Sequence, residues 1–290
     1  FTPDNVSSGT LAIGSGGRLW VASDSVTVSS GVVFEKDGSL GATGDQIGAV
    51  TVRSGGSITH SVRLETGLVL NVTGRLDVQL GGLIDLNGKG LRGGRLGLFG
   101  ENGETYNASD QIVSGAQGCD TNGGGGGGSY GGWGAYGNCG APAGPYGTLE
   151  KPRHLGAGGG GTRWDNGGSG GGLATIQADE LVVGGVIRAD GGNGYGNPSA
   201  GGAGGGLNIT VRHLTGTGTI EANGGAGANG YGYSGAGGGG RIAVYYETLD
   251  LPDSKIVAKS GAGPSPGAAG TIYLKDKNQP HGDVIVDNGG

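Results

Sequence analysis

The chain has 290 residues, a formal net charge of −6, 14% charged residues, 77 glycines and nine prolines. No strict three-residue glycine period runs through it, which excludes collagen, and no Lys/Arg cluster stands ready to neutralise phosphates, which leaves a nucleic-acid role without support. Alternating apolar runs between the glycine tracts exclude a purely disordered chain, and none approaches the roughly eighteen apolar residues of a membrane span.

Short strands are expected from the start of the chain, at 10–13, 18–21, 25–28 and 32–34, separated by Gly, Ser and Asp turns. More follow at 49–52, 57–59, 68–72, 75–78 and 83–86. Each alternates apolar and polar residues, so each presents one inward face. Such spacing also suits a β-sandwich. The segment 82–88 matches strands of the later repeats, however, and lies about three repeat lengths before the first of them. No capped amphipathic run of helical length is present.

Residues 100–168 read as a glycine-rich loop region containing Cys119 and Cys139, twenty residues apart. A metal site would call for four ligands, and glycine tracts give buried free thiols little apolar cover. A disulfide is therefore expected, and with it an oxidising compartment. Methionine is absent even at position 1, which agrees with a processed or excised segment whose first residue is Phe1.

From 169 to 290 the sequence repeats. A glycine tract leads into a strand at 170–176, again at 204–211 and again at 238–244, with steps of 34 residues, and a shorter step gives 270–274. Companion strands recur at 186–192, 219–225, 255–259 and 284–290. A two-strand unit cannot bury its apolar face alone, whereas stacked units can. Ile187, Ile220, Ile256 and Ile285 are expected in one row, and Leu207, Ile242 and Ile272 in another. The predicted fold is all-β: a continuous parallel β-solenoid (β-helix) with ordered, polyproline-II-like glycine segments packed on one flank. It divides into 1–99 with short turns, 100–168 with the disulfide, and 169–290 with the glycine-rich repeats.

The glycine regions also hold most large aromatics: Tyr130, Trp133, Tyr136, Tyr146, Trp164, Tyr195, Tyr231 and Tyr233. These residues form a candidate binding face for sugars or a partner, because flat rings supply contact area at small entropic cost. The competing reading, which the residue types favour, makes them local packing plugs. Catalysis finds no support. Acids are scattered singly, and Asp190, Glu221, Lys259 and Asp287 recur at like places with changing sign, as on a solvated outer face. His60, His154, His213 and His281 have no metal-ligand spacing, and His281 with Asp283 fits a turn equally well. No cofactor is expected. Calcium is suggested only by faint likeness of 190–194 and 223–227 to calcium-roll repeats, and the second run lacks the aspartate that such rolls need.

The motifs at 126–132, 145–149, 155–161 and 270–275 together resemble the glycine-rich repeat regions of very large secreted or surface bacterial proteins, over roughly residues 80 to 290. The resemblance implies an adhesin-like or extracellular-matrix architecture with no enzymatic signature. The expectation is thus a non-catalytic, extracellular or cell-surface structural or adhesive module. Its partners would be further copies stacked end to end, neighbouring repeats of the same protein, or surface glycans. The alternative is a carbohydrate-binding or polysaccharide-degrading β-helix that uses the aromatic loops.

Overall fold

The computed structural model describes residues 9–13, 25–40, 47–95, 100–119, 123–196, 198–228 and 232–289. The strand expected at 18–21 lies outside them. In chain order the first strands are β1 (Gly9–Ile13), β2 (Ser25–Val28), β3 (Val32–Lys36), β4 (Gly38–Leu40), β5 (Ala49–Val52), β6 (Ser57–Thr59), β7 (Leu68–Asn71), β8 (Arg75–Val78) and β9 (Leu83–Asp85). Then come β10 (Glu104–Tyr106), β11 (Ile112–Ser114), β12 (Leu173–Val183), β13 (Val186–Arg188), β14 (Gly206–Gly216), β15 (Thr219–Glu221), β16 (Arg241–Tyr246) and β17 (Thr248–Leu249). The last are β18 (Ile256–Val257), β19 (Thr271–Asp276) and β20 (Asp283–Ile285). Among the described residues one 3-10 turn, Asp253–Lys255, is the only helical element. Among the described residues no helix is long and apolar enough to cross a membrane.

The strands assemble into a seven-stranded sheet in the order β1-β3-β6-β9-β13-β15-β18 and an eleven-stranded sheet whose main path is β2-β5-β8-β12-β14-β16-β19-β20. Period-two alternation fixes which side chains turn inward, and register does the rest. Phe34, Ile58, Ile84, Ile187, Ile220 and Ile256 stand in one row across the first sheet. Val28, Val52, Val78 and Val183 make a row in the second, as do Leu207, Ile242 and Ile272. All are buried, in one continuous apolar core that extends from Val26 to Leu274. Each such side chain contributes on the order of 2 kcal/mol by leaving water.

The expected continuous parallel β-solenoid is overturned. The described residues form separate open sheets with mixed pairing, and neither large sheet closes on itself. β10 and β11 pair antiparallel in a sheet of their own, and β20 pairs antiparallel with β19. The eleven-residue β12 spans two strands at once, pairing β7 through residues 174–177 and β8 through 180–183. Between β9 and β12 the chain leaves both large sheets. Alternation dictates the buried face of a strand but says nothing about how sheets close, which is why the pattern misled. The tail illustrates the point. Asp276 accepts the Asn278 amide on its carboxylate (2.8 Å) and the Gln279 amide on its carbonyl (3.1 Å), turning the chain back. Ile285 therefore pairs with Ile272 and not in the row beyond Ile256.

The excursion between β9 and β12 packs through a second core of Leu91, Tyr106, Leu155 and Leu173, with Ile112 and Tyr146 against it. His60 joins this excursion to the main sheets. It is fully buried, its Nδ1 lies 2.7 Å from the Ser61 carbonyl, and its Nε2 accepts the Leu173 amide at 3.2 Å. Those partners define a neutral ring with its proton on Nδ1.

Candidate functional site

The glycine tracts form a hydrogen-bonded lattice. In the tract at 200–205 the amides of Ala200 and Ala203 donate to the carbonyls of Gly160 and Ala157, those of Gly201 and Gly204 to Gly235 and Gly238, and those of Gly202 and Gly205 to Gly192 and Ala189. Every third residue thus addresses the same neighbour, and three neighbours are served in turn. Residues 235–240 repeat the scheme toward Gly125 and Gly128, Ser265 and Ala268, and Gly225 and Ala222. A three-residue donor period is the signature of polyproline-II-like backbone, whose amides point outward and need external partners. Glycine is required here for close approach, since neither tract contains a positive-φ residue. A methyl on Gly205 would overlap the Gly172 carbonyl oxygen, and one on Gly201 that of Gly225.

At one rim of this lattice the loops joining successive tracts are tied into a ring. The Tyr195 amide donates to the Asn166 carbonyl (3.4 Å), the Ala228 amide to Ser199 (3.0 Å), and the Asn138 amide to Tyr233 (3.1 Å). The Cys119–Cys139 disulfide, with Cα atoms 5.9 Å apart, carries the circuit onward, and Cys119 bridges to Thr162 beside the first loop. Thr162 Oγ1 then accepts the amides of Trp164 (3.3 Å) and Asp165 (3.2 Å). Four aromatics ride on this ring, Tyr136, Trp164, Tyr195 and Tyr233, and each is more than half exposed. The Arg163 guanidinium lies 5.2 Å from the centre of the Trp164 ring. Trp133 is equally exposed but stands apart, its carbonyl accepting the Ala268 amide.

The remaining predicted aromatics do not join the rim. Tyr130 is fully buried and Tyr146 partly so; their rings lie 4.8 Å apart, and Tyr146 is 5.3 Å from Tyr106. Tyr231 lies outside the described residues. The Tyr146 hydroxyl donates to the Leu155 carbonyl at 2.5 Å, and Arg241 donates from Nε to the Tyr146 carbonyl at 3.0 Å. Arg241 also sits 5.4 Å from the Tyr130 ring centre. Burial raises the Tyr130 hydroxyl pKa to about 12 and holds that of Tyr146 well above its ordinary value. His154 completes the cluster, its Nε2 2.9 Å from Asp110, which also takes a 2.6 Å bond from Arg153. This aromatic plug locks the excursion in place.

A third feature is a ladder of side-chain oxygens. Asn87 accepts the Asp190 amide, Asp190 accepts that of Asn223, and Asn223 accepts that of Lys259, at 2.7 to 2.9 Å. The row read as a solvated outer face is therefore, at Asp190, a structural seam. Burial pushes the Asp190 carboxyl up to about 6. Among the described residues no group of three or more His, Cys, Asp or Glu is placed to hold a metal ion.

Sequence reasoning missed Tyr106, Asp110 and Arg241 and the place of His154: Tyr106 and Asp110 reach His154 across more than forty residues, and Arg241 reaches Tyr146 and Tyr130 across about a hundred. It also missed the ladder, whose available signal was an Asn or Asp before glycine at 87, 190, 223 and 288, in all but one of the companion strands. No protein-family model, curated protein or solved structure matches the chain.

Proposed function

We propose that this chain is a non-catalytic, extracellular structural and adhesive module that presents the aromatic rim to a glycan-bearing surface. The observation that carries the reading is the ring of tied loops holding Tyr136, Trp164, Tyr195 and Tyr233 in water on a rigid backbone lattice. Flat rings supply contact area, and rings held by lattice and disulfide lose little entropy on binding. A disulfide within the ring favours an oxidising, extracellular setting. The antiparallel β20 covers the edge of β19, which weighs against parallel end-to-end stacking directly on that strand.

Pull-down of the purified chain with insoluble cellulose, chitin and peptidoglycan tests the reading. Retention on at least one, reduced tenfold or more by the double change Trp164→Ala and Tyr195→Ala at an unchanged melting temperature, is the expected result. Equal retention of the variant removes the rim from the adhesive surface.

A further inference from the structure

Away from the rim, an open groove of about 480 Å³ lies on the larger sheet where the pairing of its long strands is interrupted. The interruption falls in β12 and β14, each eleven residues long: their pairing runs on either side of Asp179 and Arg212 but skips that pair. On one bank stand Asn71, Gln177 and Thr210, register partners on three successive strands. The lining continues with Asp179 on β12, Arg212 on β14, Glu247 between β16 and β17 and Lys277 just after β19, four residues whose charges alternate in sign along the chain. Ala178 contributes an apolar patch to the lining.

Two of the four charges pair with each other, and a third is held by backbone. Arg212 grips Asp179 through two bonds of 2.6 and 2.7 Å, and Lys277 Nζ donates to the Val211 carbonyl at 3.0 Å. The Glu247 amide meets the Arg212 carbonyl at 3.0 Å, fixing the bank. A net-neutral bank draws no polyanion. A ligand entering this groove meets interleaved donors and acceptors repeated once per strand, at about 4.8 Å. Hydroxyl groups both donate and accept, and a chain of sugar rings offers them at a spacing comparable to one ring per strand. The exposed Gln177 amide with the Thr210 hydroxyl suits such a ligand, while the small apolar patch suits a ring face.

We propose that this groove is a second binding site, for a neutral oligosaccharide lying across the strands. It shares no residue with the rim, so either site can fail without the other. The test titrates the isotopically labelled full chain with cellohexaose, chitohexaose, maltohexaose and, as an acidic control, polygalacturonate, read by NMR. A neutral hexasaccharide is expected to shift the Gln177 and Asn71 side-chain amides saturably. Gln177→Ala and Thr210→Ala should each weaken it at least tenfold at unchanged melting temperature, since Gln177 is exposed and Thr210 half-buried. Trp164→Ala should leave it unaltered. The proposal is overturned if no neutral hexasaccharide binds at millimolar concentration, if the shifts map to Trp164 and Tyr195, or if polygalacturonate alone binds.

Discussion

Asp190 is the one acid in a ladder otherwise made by asparagines, and its cost can be signed. Its folded-state pKa, about 6, lies above the ordinary 3.8, chiefly because burial disfavours the anion, with Glu221 adding to the effect. The fold therefore binds this proton more tightly than the unfolded chain does. Its contribution to stability is present below about pH 4 and is lost as pH rises toward 6. Asp190→Asn keeps the acceptor for the Asn223 amide and removes the charge. It should stabilise the protein by about 1 to 2 kcal/mol at pH 7 and by almost nothing at pH 4, read as the difference in urea midpoints. A gain equal at both pH values would locate the effect outside the carboxylate. His60 works in the opposite sense. Burial, its largest influence, lowers its pKa, and its Nε2 must stay bare to accept the Leu173 amide. Its contribution is present above the unfolded value of 6.5 and is lost as pH falls below that. An NMR titration should find the His60 ring titrating below the ordinary histidine value of 6.5; a midpoint above it contradicts the buried, bonded geometry.

At the level of elements, the tracts make a sharper claim than flexibility would. Gly205 and Gly144 both lie in glycine-rich surroundings, yet only the first abuts backbone on the path of a side chain. Around Gly144 the nearest atoms to an added methyl belong to the Trp133 ring, beginning at 3.6 Å, an ordinary contact. Gly205→Ala should cost more than about 2 kcal/mol or prevent folding, and Gly144→Ala should change stability by less than about 0.5 kcal/mol in thermal or urea melts. Similar costs for the two would mean that the tracts are loose. Much at this scale was legible in the sequence. Ile187, Ile220 and Ile256 pair in register because alternation and a recurring strand pair leave little freedom, although the spacing between them varies. What escaped was whatever alternation does not encode. Ile285 has the right pattern for the same row, but the turn at Asp276 sends it elsewhere. Tyr130 and Tyr136 sit in equally glycine-rich sequence, and only the arrival of Arg241 and Tyr146 from distant segments determines that one is covered and the other is not.

Taken as a whole, the molecule joins two kinds of cohesion. Apolar rows hold the sheets, while backbone hydrogen bonds between glycine segments hold the layer that carries the rim. The two should respond differently to cutting the ring at the disulfide. Cys119 and Cys139 lie on loops that no apolar row organises, with Gly123 packed so tightly against both sulfurs that a methyl there would meet Cys139 Sγ at 2.6 Å. Replacing both cysteines by serine frees a loop of twenty residues, which costs about 3 kcal/mol of stability in the chain-entropy account. The sheets do not use that loop, so far-UV circular dichroism should be unchanged below the lowered melting temperature. The rim does use it, through Asn138 on Tyr233 and Thr162 beside Trp164. Retention on the polysaccharide that the native chain prefers should therefore fall at temperatures where the fold is intact, because four rings once held in place must be ordered on binding. If retention survives reduction unchanged, the aromatics bind as independent loops, and the ring contributes stability without preorganising the surface.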